Sequence, residues 1–254
     1  MNCSGCEVTE DAFKDHFSRQ AAEYAKFRPR YPKELFRWLG SVAPARVLAW
    51  DCATGNGQAA VELAEVFDRV IATDASEKQV ARAAANSRVQ YQVAPAEQSG
   101  LDTQSVDLVA VAQALHWFDL DRFYAEVRRV LKPGGVFAAW AYKLATVEPA
   151  IDLVVNRYYS DVVGKYWPAE RVLVEKFEEL PFAFEEIGVP QFEMVAEWTV
   201  EHLLGYLRTW SATQRFMAAE ERDPLAEVER ELRAVWGHES RPVVWPLTVR
   251  AGRV

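Results

Sequence analysis

Short apolar runs alternate with amphipathic stretches along the chain from residue 46 onward. Helical periodicity begins near Gln58, Glu77 and Asp119, each time between two apolar runs. Such alternation predicts an α/β fold in which parallel strands are joined by right-handed helical crossovers. The predicted strands are residues 46–50, 69–73, 89–93, 106–111 and 136–140, and residues 191–197 and 243–249 are candidates for closing the sheet.

The pattern changes on either side of this alternating region. Residues 11–41 form two predicted helical stretches, and the elbow Arg28-Pro29-Arg30-Tyr31-Pro32 separates them, because proline removes a backbone donor and disfavours helix in the preceding residue. After Tyr142, aromatic and acidic segments precede weaker helical periodicity. We therefore predict five regions: a disordered N-terminus over 1–10, a helical lid over 11–45, an α/β core over 46–142, a helical insertion over 143–240 and a closing strand over 241–254.

Composition narrows the class of partner. The chain has 254 residues, half of them hydrophobic, with a net charge of -8 and a pI near 5.2. Without a basic block, binding to nucleic acid is disfavoured, and no apolar run approaches the roughly 18 to 20 residues that span a bilayer. The first residues do not have the pattern of a secretory signal. We expect a cytoplasmic protein with a small-molecule partner and no membrane partner, and the sequence does not indicate an oligomeric state.

A metal site is not expected. Cys3 and Cys6 form a C-x-x-C pair, but a tetrahedral site needs two more ligands. The remaining cysteine, Cys52, lies within a glycine-rich turn, and the four histidines show no paired spacing.

That glycine-rich turn, residues 51–58, is the strongest chemical signal. It follows an apolar run and precedes a helix, and Gly55 and Gly57 lack the Cβ atom that would keep a ligand away from the backbone. The start of the helix supplies free N–H donors. A second carboxylate, Asp74, follows Asp51 by 23 residues and ends the next apolar run, where a ribose-binding carboxylate belongs.

Two cofactor classes fit the turn. Residues 55–60 satisfy G-x-G-x-x-A, which is typical of nicotinamide-dependent dehydrogenases. The full register of Asp51, Ala53, Gly55 and Gly57 resembles the D-x-G-x-G-x-G motif of class I S-adenosylmethionine-dependent methyltransferases, with Ala53 in place of the first glycine. The segments 106–119 and 131–135 resemble the fourth strand, its following loop and the turn into the fifth strand of that family.

The resemblance implies a Rossmann-like, seven-stranded, mostly parallel sheet with helices on both faces. It also implies S-adenosylmethionine as cofactor, bound over the carboxyl ends of the first strands. Many relatives carry an adenine-binding aspartate where this chain has Pro95, so adenine would rely on the Ala96 backbone and apolar packing. The implied cofactor-binding residues are Asp51, Ala53, Gly55, Gly57, Asp74, Ala75, Ala96, Glu97 and Gln113.

Within the class, Tyr24, the proline elbow, His116-Trp117 and residues 207–211 resemble the branch of trans-aconitate methyltransferases. That branch implies a carboxylate acceptor held by cations such as Arg28, Arg208 or Arg215. For a hydroxyl or amine acceptor, His116 would be the general base. A cofactor-binding protein without turnover is the alternative function. The implied substrate-binding residues are Tyr24, Arg28, Tyr31, His116, Trp117, Arg208 and Trp210.

Overall fold

The computed structural model describes residues 27–254, which form two compact units. We call residues 30–145, 169–194 and 244–254 the sheet unit. The helical unit comprises residues 27–29, 146–168 and 195–243 of the described chain. The predictions for residues 1–10, for the helical stretch before residue 27, for Cys3 and Cys6 and for Tyr24 lie outside the described residues.

Eight strands of the described chain form one sheet, in the order β3-β2-β1-β4-β5-β8-β6, with β7 also paired to β8. The strands are β1 (Leu48–Cys52), β2 (Arg69–Asp74), β3 (Val89–Val93), β4 (Val106–Ala112), β5 (Leu131–Tyr142), β6 (Glu185–Glu186), β7 (Phe192–Trp198) and β8 (Arg241–Arg253).

The predicted mostly parallel sheet is confirmed. Strands β1 to β5 pair in parallel, and β8 runs antiparallel to β5. All five residues of β1 and the first six of β4 are buried, which explains why these central strands are continuous apolar runs rather than alternating ones. The sheet has eight strands rather than the predicted seven because Glu185–Glu186 adds a short strand against Arg253 and Gly252.

The start of β5 also differs from the prediction. The strand begins at Leu131 rather than at Val136. Val106 pairs with Leu131 and Leu108 with Val136, so the intervening residues form an irregularity on one side of the ladder. Gly134 has a φ of 74°, which a glycine adopts at little steric cost.

The helices at Gln58 and Glu77 begin at the predicted residues but are short, whereas two other helices of the sheet unit are 10 and 11 residues long. One follows Pro32 directly and the other is capped by Asp119, whose side chain accepts from the Arg122 amide at 3.3 Å. The helices of the sheet unit are α1 (Lys33–Val42), α2 (Gln58–Leu63), α3 (Glu77–Val80), α4 (Leu120–Val130) and α6 (Arg171–Glu175). Those of the helical unit are α5 (Pro149–Arg157), α7 (Val200–Arg208), α8 (Ser211–Glu220) and α9 (Glu229–Trp236).

Candidate functional site

The turn between β1 and α2 has an unusual backbone. Ala53, Gly55 and Gly57 all have positive φ, at 56°, 57° and 86°. A left-handed conformation costs a residue with a Cβ about 1–2 kcal/mol, so the turn accommodates Ala53 in the place of glycine at a modest cost.

The two glycines serve different purposes. A Cβ on Gly55 would meet no atom within 4 Å, so the space above this residue is open. A Cβ on Gly57 would overlap the Tyr91 hydroxyl and lie 3.0 Å from Tyr91 Cζ. Close approach of a ligand to Gly55 stays a prediction, and the open space is compatible with it. At Gly57 the Tyr91 side chain occupies the space that the missing Cβ leaves, so packing within the protein also requires a glycine there.

Asp74, the last residue of β2, ties the turn to the neighbouring strand. Its Oδ2 accepts from the Gly55 amide at 2.9 Å, and its Oδ1 accepts from the Ser76 amide at 2.8 Å. Each carboxylate oxygen retains further acceptor capacity, so the side chain can still bind hydroxyl groups. Ala75, the residue between Asp74 and Ser76, is exposed.

Asp51, in β1, is a buried carboxyl group with an incomplete set of partners. Thr54 Oγ1 donates to its Oδ2 at 2.5 Å, whereas its buried Oδ1 has no hydrogen bond of normal geometry among residues 27–254. Burial raises the pKa of Asp51 to about 7, which the Thr54 hydroxyl and the Ala60 backbone amide partly oppose and the nearby charge of Asp74 reinforces. A buried oxygen of this kind is costly unless a donor binds it, so it is suited to a cationic or hydrogen-bonding ligand.

The loop after β3 continues this edge of the sheet. Ala94 donates its amide to the Asp74 carbonyl at 3.1 Å, and a turn closed by Gln98 and Pro95 presents Ala96 and Glu97. Glu97 Oε1 accepts from the Asp119 amide at 3.2 Å.

Gln113 follows β4 with a φ of 58°. Its amide donates to the Trp140 carbonyl at 2.9 Å, and its Nε2 lies 3.4 Å from the Tyr142 carbonyl oxygen. Tyr31 also packs at this strand, with its ring edge-on to Trp140 at a centroid distance of 5.7 Å.

His116 and Trp117 lie in the loop that follows β4. Their ring centroids are 4.9 Å apart, and the Trp117 side chain is exposed. The pKa of His116 falls to about 4, first because of burial and second because of the positive charge of Arg171, while the negative charge of Glu170 opposes the shift. The imidazole is therefore neutral at pH 7. Its buried Nδ1 has no hydrogen-bond partner within the described chain.

Arg171 is a candidate for binding the acceptor that the sequence analysis did not identify. It begins α6, within a segment whose pattern gives no functional signal, and only the fold brings its charge close to His116. The same is true of Tyr91, which lies against Gly57.

The helical unit contains the other predicted substrate-binding residues. The Arg28 guanidinium lies 5.2 Å from the centre of the Tyr206 ring, and its Nη2 is 3.4 Å from the Thr209 carbonyl oxygen. Arg208 is held by Asp223, with Nη2 and Oδ2 2.7 Å apart. Trp210 is buried among aromatic rings, namely those of Tyr158, Tyr159, Trp167 and Tyr206.

Comparison with known proteins gives the family. Residues 50–139, which include the glycine-rich turn, match the family model described as a methyltransferase domain. A Dictyostelium discoideum protein named as a methyltransferase is 33% identical over 229 residues, covering 88% of this chain and 87% of that protein. A structure named as that of a type II methyltransferase from Anaeromyxobacter dehalogenans is 51% identical, has a TM-score of 0.84 and covers 89% of this chain and 97% of that one.

A Saccharomyces cerevisiae protein named as a probable S-adenosylmethionine-dependent methyltransferase is 30% identical over 164 residues, covering 58% of this chain and 55% of that protein. The chain belongs to the class I methyltransferase family, and it is a methyltransferase. The family implies S-adenosylmethionine as methyl donor, and the dehydrogenase interpretation finds no support. No helix of residues 27–254 is long and apolar enough to cross a membrane.

Proposed function

We propose that this protein binds S-adenosylmethionine on the turn between β1 and α2 and transfers its methyl group to a small molecule that carries a carboxylate. One observation carries the cofactor assignment: the buried, unpartnered Oδ1 of Asp51 belongs to the same turn as the open space above Gly55. A cationic amino group would satisfy Asp51, and Gly55 would allow the ligand to contact the backbone.

The order of the strands supports a direction for the cofactor. Asp51 is the second-to-last residue of β1, Asp74 is the last residue of β2, and the loop with Ala96 and Glu97 follows β3. These groups therefore follow one another along one edge of the sheet. Ligands of open α/β sheets bind outside the carboxyl ends of the strands. We therefore assign the amino acid part to Asp51, the ribose to Asp74 and the adenine to the loop around Ala96.

The reaction needs little from the protein beyond binding and orientation. The cofactor supplies a methyl group on a positively charged sulfur, and the neutral thioether that departs is a good leaving group. Proximity and exclusion of water provide much of the remaining rate. His116, neutral at pH 7, can accept a proton from a hydroxyl or amine, whereas an ionised carboxylate needs no base.

The acidic acceptor is supported by the resemblance to the trans-aconitate branch and by the positive charge of Arg171 near His116. A guanidinium presents a planar fork that matches a carboxylate. Arg28 remains a candidate in the helical unit. At Arg208 an acceptor would have to compete with the Asp223 carboxylate, which already binds this guanidinium.

A methyl-transfer assay tests the proposal, using cofactor with a labelled methyl group and a panel of small carboxylic acids, phenols and amines. We expect label in the carboxylic acids, and Arg171→Gln should raise KM for them. Arg222→Gln, at an exposed arginine that is not a candidate for binding the acceptor, is the matched control and should leave KM near the wild-type value. Transfer only to phenols or amines would overturn the acidic acceptor, and cofactor binding without transfer to any compound would favour a binding protein without turnover.

A further inference from the structure

The loop of residues 94–101, which we call the base loop, is anchored to α4 by a buried carboxylate. Glu126 Oε1 accepts from the Ser99 amide at 2.8 Å and from the Ser99 hydroxyl at 2.5 Å. The Ser99 oxygen in turn accepts from the Leu101 amide at 3.1 Å. Ser99 is 2% exposed and Glu126 8% exposed, so water has little access to these bonds.

Arg129 completes the anchor from the same helix. Its Nε lies 2.7 Å from Glu126 Oε2, and its Nη2 lies 2.7 Å from Oε1. Burial raises the pKa of Glu126, but the bonds from Arg129 and Ser99 outweigh it and lower the pKa to about 2. Glu126 is therefore ionised at neutral pH, and charge-assisted bonds hold Ser99 in one position.

The anchored loop contains the atoms available to recognise a base. Pro95 has no hydrogen-bonding side chain, and the Ala96 amide takes no part in the bonds that hold the loop in place. A backbone amide is a donor, so it matches the N1 acceptor of adenine and opposes the N1–H donor of hypoxanthine. The discrimination that such an amide gives depends on how firmly the backbone is held, because a mobile loop can turn the amide away.

We propose that Glu126, acting through Ser99, is a positioning residue that sets the preference of the cofactor site for adenine over hypoxanthine. The inference rests on the proposed function, since it assumes that the base of the cofactor lies on the base loop. It adds a role for two residues that do not themselves contact the ligand.

Binding of two ligands to three variants tests the proposal. The ligands are S-adenosylhomocysteine and S-inosylhomocysteine, which differ at the base, and the readout is the ratio of their Kd values by calorimetry. The variants are Ser99→Ala, Glu126→Gln and the control Asp107→Asn. Asp107 is equally buried and accepts from the Val47 and Leu48 amides and from Lys132, but it lies at the start of β4 and away from the base loop.

We expect the wild type to favour the adenine ligand, and Ser99→Ala and Glu126→Gln to reduce the Kd ratio roughly 3- to 10-fold, the scale of one hydrogen bond. Asp107→Asn should lower thermal stability while leaving the ratio unchanged. Ser99→Ala keeps the backbone bond to Glu126, so it should remain folded even where Glu126→Gln is too unstable to measure.

An unchanged ratio in a folded Ser99→Ala protein, or equal binding of the two ligands by the wild type, would overturn the inference while leaving the proposed function in place. Failure of the wild type to bind S-adenosylhomocysteine would instead overturn the proposed function. A reduced ratio in Asp107→Asn would also count against the inference, because it would show that general loosening of the fold is sufficient.

Discussion

The Tyr91 ring occupies the space that the missing side chain of Gly57 leaves. Tyr91 donates its hydroxyl to the Ala84 carbonyl at 2.8 Å, and Ala84 donates its amide to the Asn56 carbonyl at 3.1 Å. The segment after α3 is thus bound to the glycine-rich turn through Ala84, and Tyr91 holds Ala84 from the other side of its peptide group. The two glycines of the turn therefore differ, because Gly57 packs against Tyr91 whereas Gly55 faces open space.

Gly57→Ala should therefore destabilise the fold, through its φ of 86° and through overlap with Tyr91. In a Tyr91→Phe background, the loss should be smaller, because the hydroxyl that overlaps the new Cβ is gone. Urea unfolding of the two single variants and the double variant measures the coupling, which we expect to be about 0.5–3 kcal/mol for residues in contact. Strictly additive changes would contradict the packing relationship.

Gly55→Ala should behave differently. Its Cβ would meet no protein atom, so the cost to folding should be only the left-handed backbone strain, about 1–2 kcal/mol. The methyl group would project into the space proposed for the cofactor, and we expect the affinity for S-adenosylhomocysteine to fall at least roughly ten-fold. Calorimetry on the folded variant checks this, and wild-type affinity would place the ligand elsewhere.

Asp51 should make stability depend on pH in a defined direction. Its pKa in the folded protein, about 7, lies above its ordinary value of 3.8. Its contribution to stability is therefore fully present below pH 3.8 and is lost as the pH rises through 7. Asp51→Asn carries no such charge, so in the absence of ligand it should be more stable than the wild type at pH 8, by roughly 2–4 kcal/mol, but not at pH 4.

Urea unfolding of both proteins between pH 4 and pH 8 measures this difference. Glu65→Gln, at an exposed carboxylate paired with Arg88, serves as a control that should follow the wild type. A stability difference between Asp51→Asn and the wild type that does not change with pH would mean that Asp51 titrates normally in the folded protein.

The pH dependence of activity should distinguish His116 from Asp51. Because the pKa of His116 is about 4, its titration should be complete below pH 6, and a rise in kcat/KM near pH 7 would belong to Asp51. His116→Ala should leave methylation of a carboxylate nearly unchanged, but it should slow methylation of a hydroxyl by roughly 10²-fold. A large loss with a carboxylate acceptor would show that His116 acts by another route.

The sequence predicted the strands and the glycine-rich turn well because buried parallel strands are continuous apolar runs. The turn joins β1 to α2 within a few residues, so local spacing is enough to place Asp51 and Gly55. The sequence does not predict β6, because Glu185–Glu186 is not an apolar run and forms a strand by pairing with β8. Contacts such as Ser99 with Glu126, 27 residues apart, depend on tertiary packing that no periodicity records.

The candidate site residues divide in the same way. Those on the turn and at the ends of β1 and β2 are linked by short-range geometry that motif spacing captures. The prediction for Arg208 rests on the family resemblance alone, and the pattern of neither segment indicates its bond to Asp223. The charge of Arg171 near His116 likewise required the fold.

Calorimetric titration with S-adenosylhomocysteine and with a nicotinamide dinucleotide, at pH 8, tests the central claim most directly. At this pH Asp51 is largely ionised and able to bind a cationic amino group. We expect saturable binding of S-adenosylhomocysteine to one site, and a loss of roughly 1–3 kcal/mol of binding free energy in Asp74→Ala, which removes an acceptor for the ribose hydroxyls. No binding of S-adenosylhomocysteine, with saturable binding of the nicotinamide dinucleotide, would contradict it.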